Sequence, residues 1–249
     1  MNQEELFLYL KREFNRILDE KDIGRDEISV NSRALTPEEA IGKTGRKDYP
    51  ILTGKEIMLE AEYRGARGQA FTDSPAEFRG TIDEILNMDI VNDPHSRGVF
   101  IATLNAVMNY EGLADRTVHC RNNEPEECAK KTVNFIKENY GDVKIALVGY
   151  QPALLENLSK NFDVRVLDLN PQNVGQIKYG VRVENGKDDF TDVVVKWAEL
   201  VLCTGSTLCN GTITQFLNTG KETFFFGTTL AGASQILGCR RMCFMATED

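Results

Sequence analysis

The sequence predicts an α/β protein, with an N-terminal α+β part followed by a parallel sheet covered on both faces. Three observations predict this. After Gly141, short apolar runs at 144–148, 163–169, 199–203 and 223–226 alternate with helix-length segments, the pattern of strands buried on both sides. Before Gly112, amphipathic helices flank a pair of alternating strands. Between them, residues 113–123 are polar and irregular, which reads as a linker and divides the chain into domains 1–112 and 113–249.

Taken in order, Leu6, Leu10, Phe14, Ile17 and Leu18 recur at helical spacing, so residues 3–20 form an amphipathic helix. A strand over 28–35 and a capped turn at Thr36-Pro-Glu-Glu follow. Residues 42–50 are a basic loop rich in turn formers. Residues 56–63 and 65–71 read as a hairpin. Two helices follow, at 75–88 and 96–112, the second apolar on most of its sides. Asn123 then caps a helix, with Pro125 in its first turn, and Gly141 ends it. Beyond Gly141, helices are read at 152–161, 212–218 and 231–237. Further strands are read at 177–183 and 241–245.

Composition excludes several function classes. The formal net charge of the 249 residues is −9, which opposes binding to phosphate backbones and anionic membranes. Most of the acidic excess lies before Gly112. No stretch is long and apolar enough to span a membrane. The first twenty residues alternate charge with apolar groups, unlike an export signal. The expectation is therefore a cytoplasmic protein with no nucleic-acid or membrane partner. Its six cysteines are then free thiols or ligands. Homo-oligomerisation is left open.

In an open parallel sheet, ligands sit beyond the carboxyl ends of the strands, where strand order reverses. The candidate ligand residues are therefore those just after each strand. The first group is Gly149, Tyr150, Gln151 and Pro152, a tight turn into a helix. It lacks the GxGxxG spacing of a dinucleotide turn. Asp168 ends the next strand, where an acid can accept from ribose hydroxyls or cap a turn. Thr204, Gly205, Ser206, Thr207, Asn210, Gly211 and Thr212 form a segment rich in hydroxyls, amides and glycine. Gly227, Thr228 and Thr229 repeat that chemistry. Such segments bind anionic oxygens or simply cap helices.

The segments TGSTLCNGT and GTTLAGAS, following GYQP and DLNP, resemble the putative heavy-metal chelation family. The segment DYPILTGKEIMLEAEYRGARGQAFTD is similar to that family's N-terminal part. RGVFIATLNAVM is similar to its helix, through Arg97, Ala102, Asn105 and Ala106. The resemblance runs from roughly residue 40 to the end. It implies an enolase N-terminal-like α+β domain followed by a Rossmann-like, doubly wound domain, with a ligand site at their junction. Because the second domain is similar to methyltransferase domains, an S-adenosylmethionine-like or other nucleoside ligand is implied. Roles in heavy-metal chelation, chelator metabolism or pterin- and flavin-like metabolism are implied as well.

Arg97 and Asn105 lie two helical turns apart on one face of an apolar helix. A guanidinium there needs an anion or several carbonyls. The basic loop offers Lys43 and Arg46 to the same junction, and Thr72 and Asp73 offer further polar groups. Metal candidates are Cys203, Cys209 and His119. No CxxC pair exists, so a tight structural zinc site is not expected. Cys209, if at a helix start, would have a lowered pKa, with ordinary packing as the alternative. His119 reads as a solvated linker histidine. No Ser-His-Asp or paired-carboxylate spacing identifies catalytic residues.

Three functions remain. The first is a small-molecule binding protein or enzyme with an anionic or nucleoside-like ligand at the domain junction. The second is a soft-metal binding protein using free cysteines. The third is a nicotinamide-dependent oxidoreductase, disfavoured by the absent GxGxxG.

Overall fold

The computed structural model describes residues 1–25, 30–54 and 56–248. It is a mixed α/β fold with two sheets. The chain opens with helix α1, Gln3–Glu20, started by a reciprocal cap in which Asn2 and Glu5 each accept from the other's backbone N–H. Its six buried apolar residues, including Phe7, Leu10 and Phe14, form the predicted stripe.

Strand β1, Val30–Ala34, follows; Ile28 and Ser29, included in the sequence-read strand, lie outside the described residues. Thr36 and Glu39 cap the short helix α2, Pro37–Ile41. After it, residues 42–53 form a strap that ends in a tight helical turn, Pro50–Thr53. Strands β2, Ile57–Tyr63, and β3, Ala66–Thr72, make the predicted hairpin, with Tyr63 opposite Ala66. The helix expected over 75–88 is instead strand β4, Phe78–Gly80, and helix α3, Ile82–Asn87. Thr81 caps through Glu84, so the helix can begin only at Ile82, and β4 is free to pair with β1. The first sheet is antiparallel at each pairing, in the order β3-β2-β1-β4.

Helix α4, Pro94–Tyr110, buries every residue from Arg97 to Met108. One side presses on β3, where a Cβ on Gly68 would stand 2.2 Å from the Ala106 nitrogen and 2.4 Å from the Ala102 oxygen. Glycine on the strand and alanines on the helix permit that approach.

Helix α5, Glu124–Tyr140, then leads into the second sheet. Its elements are β5 (Ile145–Val148), α6 (Pro152–Ser159), β6 (Val164–Asp168), β7 (Ile177–Lys178), β8 (Val181–Asn185), β9 (Leu200–Thr204), β10 (Glu222–Phe226), α7 (Ala231–Leu237) and β11 (Arg240–Arg241). The order is β11-β10-β9-β5-β6-β8-β7. All pairs are parallel except β7–β8. Strand order reverses between β5 and β9, the doubly wound arrangement.

Three local expectations are corrected and one element is added. Tyr179 and Gly180 both have positive φ, which folds 177–185 into a hairpin rather than one strand. Residues 212–218 give only a tight turn at Thr212–Gln215, entered through the left-handed Gly211. Thr191–Trp197, to which the sequence assigned no element, is a wide π-helical turn. The last strand stops at Arg241, because the chain turns away after Met242 donates to the Phe225 carbonyl at 2.8 Å.

Alternation along the strands divides the core. Ala146, Val148, Val201 and Cys203 face α1 and α4, in a cluster continuous with the first sheet. Ile145, Leu147, Leu200 and Leu202 face α5 and α6. The N-terminal part thus supplies cover for one face of the parallel sheet. No helix among the described residues is long and apolar enough to cross a membrane.

Candidate functional site

Beyond the carboxyl ends of β5, β9 and β10 lies a cleft of about 110 Å³. It sits where strand order reverses, and its floor is Gly149, Tyr150 and Gln151 from the first turn, Thr204 from the second, and Gly227 and Thr229 from the third. Gly149 is needed there twice over. Its φ is +88°, and a Cβ would meet the Thr204 methyl at 2.6 Å. The two turns can therefore touch only through a glycine. The strap closes the cleft through Thr44, Tyr49, Pro50 and Ile51, and β3 contributes Phe71.

Several expected ligand residues serve the walls rather than the cavity. Gln151 caps α6 by accepting from the Leu154 nitrogen, and Pro152 occupies the first helical position. Both oxygens of Asp168 are occupied: one accepts from the Tyr150 nitrogen at 2.8 Å, the other from the Asn170 nitrogen at 2.6 Å. Thr204 and Ser206 hydroxyls are 2.9 Å apart, and Thr207 donates to the Thr204 carbonyl at 2.7 Å. The hydroxyls of this loop thus bond mainly to one another and to its backbone. Gly205 is buried, with room for a Cβ closed by Leu230. Asn210, Gly211 and Thr212 form a turn near Gln3 of α1 and do not line the cleft.

Arg97 and Asn105 are brought to the junction but not to the cavity. Arg97 donates to the carbonyls of Ile90, Val91 and Cys209 at 2.6–2.9 Å and lies over the Phe7 ring. Three carbonyls, and no acid, satisfy this buried guanidinium. Asn105 donates to the carbonyls of Gln69, Thr228 and Thr229, and accepts from the Gly232 nitrogen at 2.7 Å. Thr228 is fully buried, and the Thr229 hydroxyl accepts from the Phe71 nitrogen at 2.9 Å. Together these bonds fix the β10 turn against β3.

The metal candidates do not assemble. Among the described residues, no group of three or more His, Cys, Asp and Glu side chains could hold a metal ion. Cys203 is buried within the sheet core. Cys209 follows no helix start that would lower its pKa; burial pushes it up to about 12. His119 is no solvated linker residue. It is half-buried, lines the cleft and packs edge-on against Phe71.

Sequence reasoning missed the groups that give the cleft its character. Cys120, Cys128 and Cys243 line it, with their thiols pushed up by burial, Cys128 to about 11. They come from the linker, α5 and the C-terminal segment, so no local spacing links them. His119 Nδ1 lies 2.6 Å from the Cys120 carbonyl. A carbonyl only accepts, so Nδ1 carries the proton and Nε2 is left as an acceptor. Burial lowers the imidazole pKa, which favours this neutral form. Glu56, just before β2, completes the lining. Solvent reaches it, yet protein surrounds it. That enclosure, with the nearby Asp168 and Asp73 carboxylates, pushes it up to about 7. No lysine or arginine is among the described lining residues.

The family profile described as putative heavy-metal chelation, DUF364, matches residues 134–235. No curated protein matches the chain. A protein of unknown function from the DUF364 family of Pyrococcus horikoshii has a similar solved structure. It is 14% identical, covers 90% of this chain and 79% of its own, and gives a TM-score of 0.53. A second DUF364 structure of unknown function, from Desulfitobacterium hafniense, is 12% identical, covers 73% and 72%, and gives 0.49. Over residues 134–235 in sequence, and along most of its length in fold, the chain is similar to the DUF364 family of putative heavy-metal chelation proteins.

Proposed function

We propose that this is a small-molecule binding protein whose ligand, nucleoside-like in size and shape, occupies the cleft between the strap and the parallel sheet. One observation carries the reading: three turns at the strand-order reversal and an arm of the N-terminal part line one cavity. Such a position is where doubly wound sheets hold ligands, and a mostly apolar cleft with a few convergent polar groups is the usual form of such a site. The division into 1–112 and 113–249 belongs to this reading, with the cleft at the junction.

The anionic guest suggested by the hydroxyl-rich loops is not retained. The Thr204, Ser206 and Thr207 hydroxyls bond within their loop, Thr228 is fully buried, Arg97 is spent on carbonyls, and no lysine or arginine is among the described lining residues. The soft-metal reading lacks a ligand group among the described residues.

The test is a thermal-shift panel of nucleosides, S-adenosylmethionine, pterins and divalent metals, since a ligand that prefers the folded state raises its stability. A hit must also slow iodoacetamide alkylation of Cys128, which lines the cleft, and not that of Cys239, which does not. Stabilisation without protection of Cys128 places the ligand elsewhere and refutes the reading.

A further inference from the structure

We infer that the cleft selects a flat nitrogenous base that presents N–H donors and carries no phosphate, and that Glu56 is the residue that reads it. The inference rests on the cleft being the binding site and adds the chemistry of its occupant.

Two acceptors on the lining call for a guest that donates. Glu56 is the only charged side chain among the described lining residues, and no described residue gives it a hydrogen bond or an ion pair. Glu56 is exposed to the cleft opening, so its carboxylate is free to accept a charge-assisted hydrogen bond from a guest. A ligand N–H that donates to it replaces water with a fixed partner. The second acceptor is His119 Nε2, fixed in that role because Nδ1 is committed to the Cys120 carbonyl. The lining also holds donors: the side-chain amides of Asn122 and Gln151, which are bonded through their oxygens, and the Thr229 hydroxyl, which accepts from Phe71 and keeps its own proton.

The walls specify shape. Phe71 and Phe226 line the cavity, as does Tyr150, whose hydroxyl is drawn to Asp48. Aromatic faces favour a planar guest. Charge excludes a phosphate: Asp73 and Asp168 both act on Glu56. The cations near the rim are engaged elsewhere. Arg46 is held by Glu126 and Glu156, and Lys178 lies over the Tyr150 ring without lining the cleft. An anion would meet like charge with no counter-ion among the described lining residues, whereas an exocyclic amine would meet an acceptor.

The test uses three probes on the full chain, by isothermal titration at pH 8: adenosine, purine riboside and AMP. Purine riboside lacks the amine and has no ring N–H in its place, and AMP adds the phosphate. Adenosine is expected to bind at least tenfold more tightly than either. In Glu56→Gln, whose folding is checked by circular dichroism, the disadvantage of AMP relative to adenosine should shrink severalfold. Purine riboside or AMP binding as well as adenosine overturns the inference, as does an unchanged preference in Glu56→Gln. If no probe binds but another compound of the panel protects Cys128, this inference fails and the cleft reading stands. If nothing protects Cys128, both fail.

Discussion

Arg46 grips Glu126 with two nitrogens, at 2.6 and 3.1 Å, and so ties the strap over the cleft to helix α5. The same guanidinium reaches Glu156 of α6 at 2.6 Å. Next to it, Asp48 accepts from the hydroxyls of Tyr150 and Tyr179. The strap is therefore latched by charge-assisted bonds, the stronger kind. Arg46→Gln should free it and speed alkylation of Cys128 by roughly tenfold, equivalent to about 1.4 kcal/mol in the opening equilibrium. Raising salt should do the same to the native chain and much less to the variant. Peptide mass spectrometry after timed iodoacetamide exposure reads both; equal rates in the two proteins would disprove the latch.

Asn105 joins β3, the β10 turn and α7 through one amide. Asn105→Ala leaves buried backbone groups without partners. It should cost roughly 3 kcal/mol, since each such group carries a penalty of about 1–3 kcal/mol. Asn105→Asp should be no better, because a carboxylate cannot donate to the three carbonyls. Urea denaturation, compared at equal slope, measures the loss.

Gly68 allows α4 to lie directly on β3. In Gly68→Ala the new methyl meets helix backbone, which cannot swing aside as a side chain would. The expected loss is about 2–3 kcal/mol. Gly45→Ala is the matched control: nothing lies within 4 Å of its would-be Cβ and its φ is not positive, so its effect should stay within about 0.5 kcal/mol.

Glu56 ties stability to pH. Its folded pKa, about 7, exceeds the ordinary value of 4.5, so the fold favours the protonated form. That contribution is complete below 4.5 and lost as pH rises through 7. Burial, Asp168 and Asp73 supply the shift. Glu56→Gln should therefore match the native chain near pH 4 and exceed it at pH 8. Solvent reaches this side chain, so the gain is about 1 kcal/mol after screening. Thermal melts across pH 4–8 that run parallel for the two proteins would contradict this.

Much of the scaffold was legible because local chemistry and tertiary packing agree. Thr36 and Pro125 mark helix starts, although Asn123 makes no side-chain cap bond, and the alternation of 56–63 and 65–71 gives the β2–β3 hairpin. Segments 75–88 and 177–183 misled, since Thr81 and the Tyr179-Gly180 turn impose breaks that apolar content does not reveal. Of the strand-end residues singled out in the sequence, Gly149, Tyr150, Gln151, Thr204, Gly227 and Thr229 line the cleft, because strand ends in such sheets converge. Glu56, Cys128 and Cys243 were not singled out. A charged residue before a strand reads as solvated, and thiols on three distant segments carry no shared spacing. Arg97 and Asn105 were singled out correctly as unusual polar groups in an apolar helix, but whether such groups hold a ligand or the backbone is decided only by what folds against them.

Helix α4 meets β3 on one side, while Gly232 of α7 comes against Leu104, Asn105 and Met108 on the other. During synthesis the first partner is already made when this helix leaves the ribosome, but the second emerges more than a hundred residues later. Until then the growing polypeptide holds a bare apolar surface, the kind of exposure that invites aggregation or chaperone capture. A product stopped shortly after residue 112 would keep that surface permanently, so it should be recovered from cells chiefly as insoluble or chaperone-bound material.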